Sequence, residues 1–211
     1  HRGTVAFLTG PSDLGKSLLA RQIAVSIALG KAEAFGFKLN LKHQRAIYLT
    51  TEDGEPDWQE KLINYALTDD DKKLLKNLFL VFNYELLNYG VIEQRMKDFP
   101  FDLMIIDVFS DTFQEDLNSA QAVRRYFRPF KKLSETYGCT ILFIHHLNKR
   151  GESGSPSKLN VLGSGAIEQA VRCVLELRQD PSDQDSRLLF ITKANYLPAS
   201  EKGRPFPEFP C

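Results

Sequence analysis

Short runs of apolar residues, rich in β-branched and aromatic side chains, recur along the whole chain. Each run is bounded by polar residues, glycine or proline, which is the pattern of a buried β-strand. In chain order the runs read TVAFLTG, RAIYLTT, LFLVF, FDLMIID, TILFIHH, RCVLELR and RLLFITK. Because apolar residues follow one another without alternating with polar ones, we predict strands that are covered on both faces of a sheet.

Segments with helical spacing of apolar residues separate the first five runs. They cover residues 16–29, 57–67, 88–98 and 118–137. Strands that alternate with helices predict βαβ units, and therefore an α/β fold with a mostly parallel central sheet and helices on both faces. The last two runs follow each other across the turn-rich link QDPSDQDS, which predicts a C-terminal antiparallel hairpin.

The pattern contains no internal repeat, so we predict a single domain over residues 1–211. A content of 43% hydrophobic and 26% charged residues is typical of a soluble globular protein, and no apolar run has membrane-spanning length. The first residue is His1 rather than methionine, which favours a domain excised from a longer chain. The proline-rich end, residues 198–211, is predicted to be an irregular tail.

Net charge excludes one simple way of binding nucleic acid. Lys and Arg together number 27, as do Asp and Glu, so the chain as a whole does not attract a polyanion. Any binding of nucleic acid must therefore use a local patch.

The cysteines indicate a reducing compartment. Cys139, Cys173 and Cys211 lie far apart, with neither metal-ligand spacing nor a paired framework. We therefore expect a cytoplasmic protein in which Cys139 and Cys173 are small core residues.

The stretch GPSDLGKS, Gly10 to Ser17, has the spacing of a phosphate-binding loop. It follows a predicted strand and precedes a predicted helix, so backbone N–H groups and the helix N-terminus would surround an anion. In such a loop Lys16 reaches the β- and γ-phosphates, and the Ser17 hydroxyl lies on Mg²⁺. The alternative is a glycine-rich turn that only packs a helix on a sheet.

Acidic residues follow two other predicted strands. Asp107 stands at the carboxyl end of its strand, where open α/β sheets bind ligands, and can hold Mg²⁺ directly or through water. Its alternative role is to cap the next helix or turn. Glu52 reaches the same edge and can orient and deprotonate a water molecule that faces the γ-phosphate. Asp53 is the rival of Glu52, and a solvated acidic turn is the alternative for this stretch.

His145 and His146 end the strand TILFIHH. A polar side chain at this tip can detect whether the γ-phosphate is present. Adjacent side chains point to opposite faces of a strand, so only one of the two can face the nucleotide. A histidine pair without a third ligand is poor evidence for zinc, and a hydrogen-bonded structural histidine is the alternative for either residue.

The stretch NKRGESGSPSKLN, residues 148–160, forms a basic loop that is rich in Gly, Ser and Lys. Its cations Lys149, Arg150 and Lys158 are of the kind that bind a phosphate backbone without reading sequence. A solvated surface loop is the alternative.

The ordered set of motifs resembles that of the RecA-like P-loop ATPases. The motifs are GPSDLGKS, YLTTEDG, LMIIDVFSD, ILFIHHLNK, GSGAIEQAVRCVLELR and ITKANY. Within these ATPases they look most like the hexameric replicative helicases typified by the plasmid RepA helicases and DnaB, an AAA ATPase of the RepA-like kind. The resemblance covers nearly the whole chain. It implies a RecA-like fold, ATP and Mg²⁺ as ligands, a homo-oligomeric ring that is a hexamer in the full-length protein, and single-stranded DNA as partner.

The resemblance also implies roles for individual residues. Lys16 and Ser17 become the nucleotide and magnesium contacts, Glu52 the water-activating base and Asp107 the magnesium-coordinating acid. His146 would couple the γ-phosphate to the basic loop, which lines the channel of the ring. The nucleotide-binding set is Gly10, Pro11, Ser12, Asp13, Leu14, Gly15, Lys16, Ser17 and Leu18. The acid Asp13 fits this set only if its side chain points away from the phosphates.

The sequence departs from the helicase pattern near its end. DnaB-type helicases carry a lysine and, two positions later, an arginine that reach the neighbouring subunit's nucleotide. Here Lys193 is followed by Asn195, so Lys193 keeps a catalytic role in trans while the arginine is unassigned. Arg172, Arg187 and Arg204 are the candidates.

Three other functions compete with a DNA motor. The first is a regulatory or recombination-type ATPase that does not unwind DNA. The second is a small-molecule phosphotransferase. The position of Glu52 argues against this function, because Glu52 is placed to activate water. The third is a scaffold that binds nucleotide without turnover.

Overall fold

The computed structural model gives a mixed main β-sheet with helices on both faces, and a separate two-stranded hairpin. It describes residues 2–65, 67–83, 88–147, 151, 154–160, 164–198, 200, 202–203, 205 and 209–210. The strands are β1 (Val5–Gly10), β2 (Glu33–Ala34), β3 (Phe37–Lys38), β4 (Ala46–Thr50), β5 (Leu78–Val81), β6 (Leu103–Asp107), β7 (Thr140–His146), β8 (Cys173–Gln179), β9 (Ser186–Ala194) and β10 (Phe209–Pro210). The α-helices are α1 (Lys16–Ala28), α2 (Glu55–Ile63), α3 (Asp69–Leu74), α4 (Tyr89–Asp98), α5 (Phe109–Thr112), α6 (Ala120–Tyr137) and α7 (Ser164–Ala170).

Within the described residues, eight strands form the main sheet in the order β10-β9-β8-β1-β7-β6-β4-β5. Neighbouring strands from β8 to β5 run parallel, whereas β9 is antiparallel to β8 and β10 is antiparallel to β9. The predicted α/β fold, mostly parallel sheet and C-terminal hairpin are confirmed, and the architecture is that of a RecA-like P-loop NTPase. The carboxyl ends of the parallel strands therefore meet at one edge, where such sheets bind ligands.

The central strand β1 is covered on both sides by separate apolar cores. All of its residues are buried, and alternate side chains point to opposite faces. Phe7 packs in the core beneath α6, where its ring centroid lies 5.8 Å from that of Phe127. Leu8 packs in the other core with Leu19 of α1. Each fully buried large apolar side chain contributes about 1.5–3 kcal/mol, so both faces hold this strand in place.

The longest helices begin and end at residues suited to those positions. α1 starts directly after Gly15, whose φ of 83° lies in the left-handed region that favours glycine. α6 starts after Ser119, whose Oγ accepts a 3.3 Å hydrogen bond from the Ala122 N–H. α6 ends at Gly138, which again has a positive φ, 64°.

The four predicted helices correspond to α1, α2, α4 and α6, with α2 at Glu55–Ile63 rather than at residues 57–67. Helices α3, α5 and α7 and the β2-β3 hairpin were not expected. α3 is a charged turn capped by Thr68, whose Oγ accepts a 3.1 Å hydrogen bond from the Asp71 N–H. None of its residues is buried, so no apolar face marks it in the sequence.

Asp102 fastens the segment before β4 to the start of β6. Its carboxylate accepts hydrogen bonds from the N–H groups of Lys42, His43 and Gln44 at 2.9, 2.9 and 2.7 Å, and pairs with the Arg2 guanidinium at 2.6 Å. Burial acts to raise the pKa of Asp102, but the hydrogen bonds and the guanidinium outweigh it and hold this pKa below its usual value.

The C-terminal tail, expected to be irregular, adds a short strand to the edge of the sheet. β10 pairs with β9 through Phe209 and Arg187, and Pro205 forms an isolated bridge with Phe190. The tail therefore departs from the expectation at these positions.

Cys139 and Cys173 are buried free thiols, as predicted. Burial raises the pKa of both, so neither is a reactive thiolate. Cys211 lies outside the described residues. Among the helices of the described chain, none has the length and apolar character needed to cross a membrane.

Candidate nucleotide-binding site

The loop between β1 and α1 needs glycine at two positions for different reasons. A Cβ atom on Gly10 would lie 2.7 Å from the Leu177 carbonyl oxygen of β8, so close packing leaves no room for a side chain. A Cβ on Gly15 would meet only Leu18, at 3.9 Å, so this glycine is required by its positive φ. Asp13 also has a positive φ, 60°, and is exposed, a conformation that Asp adopts more readily than most residues.

Lys16 is buried at the start of α1, with 6% of its surface exposed. Its Nζ donates a 2.6 Å hydrogen bond to the Pro11 carbonyl of the loop. Burial lowers the pKa of Lys16, while the carboxylates of Asp107, Glu52 and Asp13 act in the opposite direction. A cation with so little water around it attracts an anion more strongly than an exposed lysine does.

Asp107 ends β6 with its two carboxylate oxygens in different surroundings. Oδ2 accepts a 2.5 Å hydrogen bond from the Tyr48 hydroxyl, whereas the buried Oδ1 has no hydrogen-bond partner among the described residues. Burial raises the pKa of Asp107, although Tyr48 and the nearby Ser17 hydroxyl act to lower it. An unpaired buried oxygen in a native site calls for a ligand.

These oxygens fit a magnesium ion. Mg²⁺ prefers oxygen ligands and is commonly bound by one or two carboxylates together with substrate phosphates. The free Oδ1 of Asp107 and the hydroxyl of Ser17 supply that chemistry beside the phosphate loop. The donor set of this site therefore suits the metal that the sequence predicts.

Asp53, the alternative to Glu52 as the base, forms ion pairs with basic side chains of the same chain. Its carboxylate pairs with Arg21 at 3.3 Å and with Lys61. Arg21 in turn lies over the ring of the fully buried Trp58, 5.0 Å from its centroid. Trp58 packs edge-on against Tyr48, with centroids 4.7 Å apart. Asp53 is thus a structural residue of the packing beneath the site.

Glu52 lines the cavity above the phosphate loop, and Asp53 does not. Burial raises the pKa of Glu52 and Asp107 adds to this effect, while His146 acts in the opposite direction. Glu52 is thus the acid of this pair with access to a bound phosphate.

The two histidines at the end of β7 face opposite sides of the sheet. His145 is fully buried, and its ring packs edge-on against Phe109 and Phe7 at centroid distances of 4.9 and 5.8 Å. His146 pairs in register with Gly10 and lines the cavity. The expected division between the pair is observed, with His146 on the side of the phosphate loop.

The cavity measures about 370 Å³ and brings together most of the predicted site. Its lining residues are Ser12, Asp13, Gly15, Lys16, Ser17, Glu52, Asp107, Val108, Ile144 and His146. A larger cavity of about 630 Å³ lies between β5 and α4, but its walls are mainly apolar and contain none of the predicted site residues. The chemistry therefore concentrates in the smaller cavity.

Two predicted cations lie elsewhere and share one carboxylate. Lys158 Nζ and Lys193 Nζ each lie 3.2 Å from Glu168 Oε1, and Lys193 also donates to the Glu168 carbonyl. Neither lysine lines the nucleotide cavity of its own chain. Lys149 and Arg150 lie outside the described residues.

The structure separates the three candidate arginines. The Arg172 carbonyl accepts a 3.2 Å hydrogen bond from the Asn195 N–H, and its guanidinium lies 3.4 Å from Glu135. Arg187 is at the opposite end of β9, where its guanidinium bonds to carbonyls of the adjoining turn. Arg204 lies outside the described residues. Arg172 is thus the described candidate beside the position where helicases have arginine.

The family model for the AAA domain matches residues 1–152 of the 211 in the chain. This chain belongs to the AAA domain family. The match includes the phosphate loop, Glu52, Asp107 and His146, and membership indicates a nucleotide-binding domain with ATPase activity. No curated protein matches the chain.

Sequence reasoning missed Tyr48, which the AAA domain uses to hold Asp107. Tyr48 lies in an apolar strand and was predicted only as a buried strand residue. Its register partner is Ile105, two residues before Asp107. A tyrosine in a buried strand needs a partner for its hydroxyl, but only the strand register of the structure shows that this partner is Asp107.

Proposed function

We propose that this AAA domain is a magnesium-dependent ATPase that works in a ring-forming motor on single-stranded DNA, in the manner of replicative helicases. The observation that carries the ATPase part is the convergence of Lys16, Ser17, Glu52, Asp107 and His146 on one cavity. These residues supply a phosphate-binding cation, oxygen ligands for a metal, and a base, which is the equipment for phosphoryl transfer to water.

Binding of ATP uses the loop and the start of α1. Backbone N–H groups of the loop and the helix N-terminus favour the triphosphate, and Lys16 exchanges its bond to the Pro11 carbonyl for phosphate oxygens. Ser17 and Asp107 would hold Mg²⁺, which would supply neutralisation of the negative charge on the triphosphate. Tyr48 keeps Asp107 oriented by occupying its other oxygen.

Hydrolysis requires a base that faces the γ-phosphate. Water attacks the γ-phosphorus while the bond from phosphorus to the bridging oxygen of ADP breaks, and the water proton passes to the Glu52 carboxylate. A raised pKa, caused by partial desolvation and by the neighbouring Asp107, helps Glu52 to accept this proton. Lys16 stabilises the charge on the transferred phosphoryl group.

The DNA part of the proposal rests on the resemblance and on the position of the basic loop. This loop follows β7 directly, so His146 lies at the junction between the nucleotide cavity and the loop. Lys158 is half exposed, and among the described residues it forms an ion pair with Glu168, which a DNA phosphate can replace. A ring of copies would concentrate such cations in a central channel.

A ring also gives a role to residues outside the cavity. Lys193 would reach the nucleotide of a neighbouring subunit, and Arg172 is our candidate for the arginine that the helicase pattern has at position 195. Support for Arg172 comes from its backbone hydrogen bond to Asn195 and from its exposed guanidinium.

The deciding experiment measures ATP hydrolysis with and without single-stranded DNA, together with the mass in solution when a non-hydrolysable ATP analogue is bound. The change Glu52→Gln should reduce kcat by about 10²-fold or more, as expected for loss of a general base. Glu55→Gln, which changes an exposed acid at the start of α2, is the matched control and should keep wild-type turnover. Undiminished hydrolysis by Glu52→Gln would refute the assignment of the base.

Duplex unwinding separates the motor from its nearest competitor. A DNA-stimulated ATPase that unwinds a forked duplex is a helicase. Stimulation and assembly without unwinding would instead support the regulatory or recombination-type ATPase.

A further inference from the structure

Glu176 is a fully buried carboxylate that the proposed mechanism does not use. It lies in β8 with 0% of its surface exposed. The Nε atom of Arg178 donates a 2.7 Å hydrogen bond to its Oε1, and a second guanidinium nitrogen also contacts it. A buried charge is tolerated only when it is paired and hydrogen-bonded. The other groups that bond to Glu176 and Arg178 therefore indicate what this ion pair does.

Further contacts of this pair with described residues lie in the basic loop. The Ser157 N–H donates a 3.0 Å hydrogen bond to Glu176 Oε2, and the Asn160 amide donates to Oε1 at 3.1 Å. The Arg178 guanidinium donates to the Gly151 carbonyl at the other end of the loop. One ion pair on β8 therefore fastens both ends of the described part of this loop.

The loop is also folded tightly on itself at this anchor. A Cβ atom on Gly151 would lie 2.6 Å from the Cβ of Asn160. The Asn160 amide also donates a 2.8 Å hydrogen bond to the Ser155 carbonyl. Residues 154–160 thus lie close to Gly151 and are held to the sheet by a few directional bonds.

The anchor lies beside the strand that carries the phosphate loop. Thr9 pairs in register with Glu176 on one side and with His145 on the other, and all three are fully buried. The next residues along are Gly10, where the phosphate loop begins, and His146 of the cavity. Gly10 packs against β8 so closely that β1 cannot shift here without moving its neighbour.

We propose that Glu176 and Arg178 are positioning residues that keep the basic loop in register with the phosphate loop, so that nucleotide binding and the order of this loop depend on each other. A displacement of Gly10 would move β8, because β1 and β8 are paired, and would move the basic loop, because Glu176 of β8 is bonded to it. The proposal rests on the proposed function in assigning the loop to DNA, whereas the link between nucleotide and loop can be tested without DNA.

Amide hydrogen exchange of peptides covering residues 154–160 tests this link, with and without ADP and Mg²⁺. In the wild type, nucleotide should slow exchange of this segment. In Glu176→Gln the segment should exchange about tenfold faster or more, with nucleotide no longer affecting it. Asp180→Asn is the matched control, because Asp180 is also a buried acid near the end of β8 but bonds Ser182 of the hairpin turn.

Asn160→Ala provides a second variant if Glu176→Gln does not fold. It removes the Asn160 bonds to Glu176 and to the Ser155 carbonyl and leaves the ion pair of the sheet intact, and it should loosen residues 154–160 in the same direction. Wild-type exchange in a folded Glu176→Gln or in Asn160→Ala would overturn the anchoring role. A wild-type segment that does not respond to nucleotide would overturn the link.

Hydrolysis with and without single-stranded DNA distinguishes this proposal from the proposed function. The ratio of the two rates should fall towards one in Glu176→Gln and keep its wild-type value in Asp180→Asn. If DNA did not change the rate of hydrolysis by the wild type, the proposed motor function would be refuted. The hydrogen-exchange data would still test whether Glu176 anchors the basic loop. A Glu176→Gln protein stimulated as strongly as the wild type would refute the coupling role and leave the motor standing.

Discussion

The change Tyr48→Phe removes the hydroxyl that holds the proposed metal ligand Asp107. The Tyr48 hydroxyl donates a 2.5 Å hydrogen bond to Oδ2 of Asp107, and both residues are buried. Phenylalanine keeps the ring, and with it the edge-on contact to Trp58. The substitution therefore tests the hydrogen bond and leaves the apolar packing in place.

The magnitude follows from the charge and the burial of the acceptor. A hydrogen bond to a charged group contributes about 1.5–3 kcal/mol, and here its loss leaves a buried carboxylate oxygen without a partner. For a domain of this size each kcal/mol corresponds to a shift in Tm of about 2–4 °C, so Tm should fall by roughly 3–12 °C. Loss of a group that orients a metal ligand weakens metal affinity by about 10- to 100-fold.

Calorimetric titration of ADP in the presence and absence of Mg²⁺ is the assay. In Tyr48→Phe the affinity with Mg²⁺ should fall, while the affinity without Mg²⁺ should stay close to that of the wild type. Tyr89→Phe is the control, because the Tyr89 hydroxyl is buried without a hydrogen-bond partner among the described residues. The reasoning is refuted if Tyr48→Phe keeps both its Tm and its magnesium-dependent gain in affinity.

Three further predictions concern the stability of the fold and the phosphate loop. Acidification below about pH 4 should destabilise the wild type, because the pKa of Asp102 is lowered in the folded state and protonation removes the stability that this provides. In urea titrations, Asp102→Asn should lack this pH-dependent part of the free energy of unfolding. Trp58→Ala should lower the free energy of unfolding by about 3–5 kcal/mol in urea titrations, and a loss below about 1 kcal/mol would contradict its full burial. Gly15→Ala and Gly36→Ala should each cost about 1–2 kcal/mol at positive φ, but in nucleotide titrations only Gly15→Ala should weaken binding.

The sequence was sufficient for the parts of the fold that depend on local pattern. Seven apolar runs gave seven of the strands of the main sheet, because a strand buried on both faces is apolar throughout. The phosphate loop is contiguous, so its spacing alone identified it. The split between His145 and His146 followed from the alternation of side chains in a strand.

Features that depend on long-range contacts were not predictable in the same way. Sequence left Glu52 and Asp53 as rivals, and only the pairing of Asp53 with Arg21, 32 residues earlier in the chain, separated them. Tyr48 and Asp107 are 59 residues apart, and no local signal joins them. The same holds for the bonds that join Glu176 to Ser157 and Asn160 on the loop before α7.

The contact between Trp58 and Tyr48 gives the protein a built-in optical probe. Trp58 is the single tryptophan of the sequence, and its fully buried indole touches the tyrosine that holds Asp107. Intrinsic fluorescence excited at the indole band therefore reports from beneath the nucleotide cavity, with no competing emitter elsewhere in the chain. Stopped-flow mixing with nucleotide can follow events at this site in real time in the unlabelled protein.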